Sequence, residues 1–349
     1  RQGTAAADQA KTLEVNSFET LAVSTFAVSL FPYLAFLWFL SREEVKCPPG
    51  VLFGFCFLLV FVLAAIPAGI YCKLELGATL VDVDMIHGLS ESLLTVTNLI
   101  LSFGFRSALR AQAGGGERDD SARTAVSLGA GAVVVGTLWA YLAAGLGPAS
   151  AHAEPENALS VPTWAVHWSS IIEWLVAQDY AWEYGRRSGS PAWKGLSLGM
   201  APLHTAGCCA VVYHLFYNSP AVEGIALAQG LLTIVGNSTL AFAAWRIYEE
   251  AARSASGAAG EGAVAAAEKA DPEPLQLGSD ASFFLSLLLA SVSVSVVAKY
   301  GEPYLDVPFE PSYAAAALLV ALPTAANTAK WSSRAREEPS GLPSWAAAG

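Results

Sequence analysis

The chain has 349 residues and a formal net charge of −11, with a pI near 4.9. Hydrophobic residues make up 54% of it and charged residues only 14%, and the mean hydropathy is +0.44. A soluble globular domain carries about 25% charged residues, so that class is excluded. The acidity excludes nucleic acid as a partner, because phosphates demand basic faces.

The apolar runs are long and unbroken. Only helices and closed barrels satisfy every backbone polar group in lipid, and a barrel alternates over short segments. The expected fold is therefore an all-α, polytopic transmembrane helical bundle in a lipid bilayer. At about 20 residues per crossing, nine segments qualify, near 17–40, 51–72, 87–106, 124–146, 164–184, 196–216, 221–247, 279–298 and 312–331.

The chain begins RQGTAAADQA without a methionine, which fits removal of a targeting peptide. Residues 1–16 read as an N-terminal tail and 17–123 as a first three-helix membrane module. Cys47, Cys56 and Cys72 here, and Cys208 and Cys209 later, have no metal-ligand spacing and read as small buried hydrophobes.

The third segment opens with DVDMIHGLSESLLTVTNLILSFGF, from Asp82 to Phe105. Advancing about 100° per residue, Asp84, His87, Glu91, Thr95, Asn98 and Ser102 share one arc of about 80°. Such a stripe faces protein, water or a ligand, and not lipid. His87 and Glu91 stand at i and i+4, where hydrogen bonding between them, or from Glu91 to groups of the fifth and sixth segments, is expected. The stripe has three readings: interhelical glue, a ligand or pigment site, or a path for protons or a solute.

A polar, Gly-rich linker at 110–123 leads to a bridging helix and loop at 124–162. The second module, 163–250, is rich in Trp and His. Its first segment places Trp164, His167, Trp174, Gln178 and Trp182 on one face, with Glu173 on another. Trp164, Trp168, Trp182 and Tyr184 read as aromatic belts at the two interfaces. Glu173, His167 and Trp174 lie too deep for that reading. In the next segment Pro202 marks a kink or a late helix start, and His214 shares a face with Asn218 but not with His204. The third segment of the module aligns Gly230, Thr233, Asn237, Ala241 and Ala244, a small-residue surface with one buried amide. A low-complexity linker (251–278) and two C-terminal helices with a tail (279–349) follow.

Basic residues test the segment count. Fifteen of the nineteen, from Arg42 to Arg336, fall on one side of a nine-span chain; Arg1, Lys11, Lys73 and Lys299 fall on the other. The positive-inside bias puts the C-terminus on the cytoplasm-like side and the N-terminus opposite.

No HExxH, P-loop, GxGxxG or GxSxG pattern appears. The reading is of a protein that is not an enzyme, with no catalytic residue and no metal site. A histidine can ligate the magnesium of a chlorophyll through a neutral ring nitrogen, which leaves no multi-residue motif. His167, His204, His214 and, less so, His87 are the candidate axial ligands. Asp84, Glu91, Asn98, Glu173, Asn218 and Asn237 form the expected buried polar network.

The blocks VHWSSIIEWLVA, WKGLSLGMAPLHTAGCCAVVYHLFYNSP and LLTIVGNSTLAFAAWRIY resemble the family called hypothetical chloroplast reading frame forty-nine, of cyanobacteria and plastids. The first module, with LFPYLAFLWFL and the Asp82–Phe105 stretch, is similar to a second uncharacterised membrane domain of the same organisms. The resemblance implies an oxygenic phototroph and a plastid membrane, thylakoid before inner envelope, with a lumenal N-terminus and a stromal C-terminus. The expected role is a subunit, linker or assembly factor of a chlorophyll–protein complex, photosystem I or its antenna, with chlorophyll and carotenoid as possible cofactors. The alternatives are a transporter using the His87/Glu91/Asn98 stripe, or a metal-dependent membrane enzyme in which His87, His167, His204 and His214 converge.

Overall fold

A backbone in hydrocarbon has only one local way to satisfy its N–H and C=O groups, so each long apolar run becomes a helix. The computed structural model of the protein describes residues 2–113, 136, 157–257, 277–305 and 310–344. The elements are α1 (Gln2–Leu40), α2 (Pro49–Tyr71), α3 (Asp84–Gln112), α4 (Val161–Arg187), α5 (Lys194–Gly199), α6 (Ala201–Leu215), α7 (Gly224–Ala255), α8 (Asp280–Leu305) and α9 (Tyr313–Glu337). No strand occurs among the described residues. The protein is a helical membrane bundle.

Eight of the nine expected segments are helical; the fourth, 124–146, lies outside the described residues except for Gly136. Among the described residues six stretches are long and apolar enough to cross a membrane. α4 and α9 are not in that group: α4 carries Glu173, Asp179 and Glu183, and α9 carries Lys330, Arg334 and Arg336. Pro202 marks a late start. The chain breaks at Met200, and α6 begins at Ala201 with proline in its first turn, where its missing N–H leaves no bond unmade.

Small residues set the closest helix contacts. α2 crosses α3 with Gly50 against Gly104 and Gly54 against Leu101. α1 lies along α7 in the same direction, where Gly230 meets Thr25 and Asn237 Nδ2 donates to Ser29 O at 2.9 Å. The small-residue face expected on α7 is thus the seam that seats α1. α3 and α4 also run in one direction, joined from Asp84 and Thr163 at one end to Arg106 and Tyr180 at the other.

This register sorts charge to the two ends of the bundle. At one end Arg106 and Arg110 hold Asp280, Lys330 and Arg334 hold Asp179, and Lys194 and Arg186 hold Glu338. At the other end stand Asp82, Asp84 and the first turns of α3 and α4.

Two expectations are corrected here. Cys56 is exposed on α2 and Cys47 is half-buried, so only Cys72, Cys208 and Cys209 behave as buried hydrophobes. Trp164 and Trp182 are buried and form no belt. Trp182 packs on Trp331, with ring centroids 5.4 Å apart, and Trp164 stands edge-on to His214 at 6.4 Å. Each fills a gap between packed helices, and burial of a large aromatic surface outweighs an interfacial position.

Candidate metal centre

Three helices bring three histidines to one point. His87 lies near the start of α3, His167 near the start of α4, and His214 in the last turn of α6. All three are buried, at 3%, 6% and 3% exposure. Their ring centroids are 4.9 Å (His87–His167), 4.9 Å (His87–His214) and 4.7 Å (His167–His214) apart. One ring nitrogen from each lies within 4.8 Å of the other two. The parallel register of α3 and α4 places His87 beside His167, and α6 runs back against α4 to deliver His214.

The surroundings fix which nitrogens are free. His167 Nδ1 is 2.9 Å from Thr163 O, a carbonyl that can only accept, so Nδ1 carries the proton and Nε2 keeps its lone pair. His214 Nδ1 is 2.8 Å from Asn218 Oδ1. The orientation of that amide follows from its other end: Asn218 Nδ2 donates to Val81 O at 3.1 Å and to Asp82 Oδ1 at 3.0 Å, both acceptors. Oδ1 therefore faces the imidazole, and His214 Nδ1 is the donor. His87 Nδ1 is buried without a hydrogen-bond partner among the described residues.

Carbonyl and amide oxygens that hold the outer imidazole N–H are how proteins orient histidines toward a metal. The orienting set is itself anchored. Asp84 Oδ1 accepts from Ser160 N at 2.9 Å and from Thr163 Oγ1 at 2.7 Å, and Asp82 Oδ2 accepts from Thr79 Oγ1 at 2.6 Å. Asn218 reaches His214 because Tyr217 and Asn218 both adopt left-handed backbone, with φ of 53° and 55°. Asparagine tolerates that region; a tyrosine does so at a cost, and such conformations gather where function demands them. Three neutral imidazoles around one point form a nitrogen donor set suited to a first-row transition metal.

The other expected site residues fall elsewhere. His204 does not join the trio; its Nε2 lies 3.8 Å from Cys208 Sγ and its Nδ1 is buried without a partner among the described residues. Asn98 Nδ2 donates to Ser170 O at 3.0 Å, and Thr95 Oγ1 lies 3.0 Å from Ser169 Oγ, so the α3 stripe packs against α4. Glu173 is 2% exposed, and its Oε2 has no partner among the described residues. Asn237 belongs to the α1–α7 seam. Glu91 departs from expectation: among the described residues it forms no hydrogen bond or ion pair, with His87 or with any group of α4 or α6. His152 lies outside the described residues.

The His87–His167–His214 trio is a candidate metal centre that the sequence reading did not assign. Thr163, Ser160 and Asp82 were not among the predicted site residues. Of these, Thr163 alone carried a local signal, standing four residues before His167 as Asn218 stands four after His214.

Comparison with known proteins divides the chain in the same way as the site. The family described as "Protein of unknown function (DUF3593)" matches residues 22–110, which contain His87. The family described as "Protein of unknown function (DUF2499)" matches residues 158–246, which contain His167 and His214. A "Ycf49-like protein" of the cyanobacterium Synechocystis sp. is 42% identical over 97 residues, covering 28% of this chain and 93% of that protein. No solved structure matches.

Proposed function

We propose a function from one premise: the chain belongs to the Ycf49-like protein family. It is a membrane protein of the cyanobacterial and plastid type that holds a single first-row transition-metal ion inside its helical bundle and catalyses no reaction. The observation that carries this reading is the convergence of His87, His167 and His214, whose ligand atoms lie within 4.8 Å of one another. Rings this close leave room for an ion and not for the flat macrocycle of a chlorophyll, which takes one axial ligand and a slot. The same three residues therefore favour a bare metal over the pigment expected from sequence.

The test is the metal content of the purified full-length protein, read by inductively coupled plasma mass spectrometry. A single ion per chain is expected in the native protein. It is expected to be lost from His87→Ala, His167→Ala and His214→Ala, and retained in His204→Ala, whose ring stands apart beside Cys208. Equal metal in all four variants would sink the reading.

A second reading concerns location. It puts the protein beside a chlorophyll–protein complex, photosystem I first, in a thylakoid membrane; the cyanobacterial relative supports the coarser setting, a cyanobacterial or plastid membrane. α2 and α8 offer apolar side chains to a neighbour or to lipid, among them Phe53, Leu63 and Ile66, and Leu285, Leu289 and Val297. Solubilised thylakoids resolved on a native gel are expected to show the protein in a green band. A colourless band migrating alone would overturn this reading and leave the metal centre untouched.

A further inference from the structure

Among the described residues no carboxylate stands within the cluster of ligand atoms that the three imidazoles form, and Glu91, one turn after His87, has no hydrogen bond or ion pair. From that pair of facts we infer that Glu91 is the fourth protein ligand, so that three imidazoles and one carboxylate close around the ion. The inference rests on the reading of His87, His167 and His214 as a metal centre and names the group that completes it.

The three imidazoles are neutral when they ligate, so a divalent ion would bring its full charge into a region of low dielectric. A charge buried there is costly unless an opposite charge meets it. Three carboxylates lie within five residues of His87: Asp82, Asp84 and Glu91. Two are already committed. Asp82 accepts from Thr79 Oγ1 and Asn218 Nδ2, and Asp84 from Ser160 N and Thr163 Oγ1. Both therefore act behind the imidazoles, holding the residues that orient them. Glu91 alone of the three has no hydrogen bond or ion pair among the described residues.

Position favours Glu91 as well. It lies one turn after His87 on α3, where side chains at i and i+4 are neighbours. Its arc is shared by His87, Thr95 and Asn98, which are 3%, 4% and 2% exposed, whereas Glu91 is half-buried. Its carboxylate lies outside the 4.8 Å cluster of imidazole nitrogens, so it reaches the ion by a turn of its flexible side chain. His87 is also the one imidazole of the three whose Nδ1 nothing holds, so its ring can turn to share an ion with Glu91.

Three histidines alone leave a fourth position for water, the arrangement of catalytic zinc. A carboxylate in that position closes the centre. No water is then activated, and the ion is held or passed on. Nitrogen and oxygen donors without thiolate suit a divalent ion such as zinc or cobalt.

Cobalt(II) is the probe that reads this directly, added to the metal-free full-length protein in detergent micelles. The native protein is expected to bind it with the intense visible bands of four-coordinate cobalt. Glu91→Gln keeps the shape and removes the charge. It is expected to weaken binding at least about tenfold and to shift the bands, and Glu91→Asp to restore part of the affinity. Glu91 has no hydrogen bond or ion pair among the described residues of the metal-free fold, so all three proteins are expected to share one helical circular dichroism spectrum and one unfolding temperature without metal. Unchanged bands and affinity in Glu91→Gln would overturn the inference while leaving the three-histidine centre standing. Failure of the native protein to bind cobalt at all would overturn both.

Discussion

Gly104→Leu is expected to prevent accumulation of the folded protein, and Gly104→Ala to destabilise it strongly. A Cβ on Gly104 would lie 2.6 Å from Gly50 C and 2.7 Å from Val51 N. Those atoms are backbone of α2, so no side-chain rotation relieves the clash; the two helices must part. Between helices in a membrane, close backbone approach supplies the van der Waals attraction that water would otherwise provide through the hydrophobic effect. Parting α2 from α3 therefore costs more than the about 1–3 kcal/mol of one overpacked core side chain. It also moves α3, which carries His87 and Glu91. Gly69→Ala on the same α2 is the control, because a Cβ there meets nothing within 4 Å. Removing a glycine from an exposed helix interior gains about 0.5–1 kcal/mol of helix propensity. Thermal unfolding in detergent, followed by circular dichroism, ranks the three variants. A Gly104→Ala protein as stable as Gly69→Ala would show that the α2–α3 crossing does not hold the bundle.

The fold was legible because the bilayer leaves few choices. Apolar runs of about 20 residues become helices whatever their neighbours do, and the Gly230–Ala244 face announced a close seam by side-chain size alone. Packing against particular neighbours was not legible. Trp164 and Trp182 carry the composition of an interface belt, and only the positions of His214 and Trp331 show why both are inside. The site was half-written in the chain. The i±4 pairs Thr163–His167 and His214–Asn218 are local and visible, and each fixes a tautomer. What joins them is the shared direction of α3 and α4 and the return of α6, and no local pattern encodes that register. The i, i+4 spacing of His87 and Glu91 suggested a pair; the structure turns the imidazole toward two other histidines and leaves the carboxylate without a hydrogen bond among the described residues.

The division of the centre between the two matched stretches bears on why they share a chain. The stretch at 22–110 supplies His87, and the stretch at 158–246 supplies His167 and His214. Two imidazoles hold an ion weakly and leave half of a tetrahedral shell open. Placing the third on α3, in register with α4, makes the site depend on docking of the first stretch against the second. The polar contacts between α3 and α4, from Asp84–Thr163 through Thr95–Ser169 and Asn98–Ser170, lie along that one seam. On the proposed reading, metal binding and assembly of the two halves are one equilibrium, since an ion that binds only the assembled form stabilises it by mass action.

Asp280→Leu is expected to destabilise the bundle by about 3–5 kcal/mol, the usual cost of stranding one member of a buried ion pair. Arg106 has only 3% of its side chain exposed, and its Nε donates to Asp280 Oδ1 at 2.8 Å. Its other nitrogens donate to Tyr180 Oη and Gly278 O, and its guanidinium lies 4.3 Å from the centre of the Phe283 ring. Arg110 meets both oxygens of the same carboxylate at 2.8 Å. Asp280 thus joins the end of α3 to the start of α8, and its loss leaves the Arg106 charge buried without an anion. Arg106→Leu is expected to be milder, because Asp280 keeps Arg110 and is itself 25% exposed. The double variant Arg106→Leu/Asp280→Leu is expected to recover most of the stability lost in Asp280→Leu, since it removes the stranded charge and fills the space with apolar atoms. Thermal unfolding of the three proteins measures the coupling, and proteolysis near residues 277–280 reports whether α8 has detached. Losses that simply add in the double variant would show that Arg106 and Asp280 act independently and that other contacts of α8, such as Leu287 against Leu99 and Phe103, hold it in place.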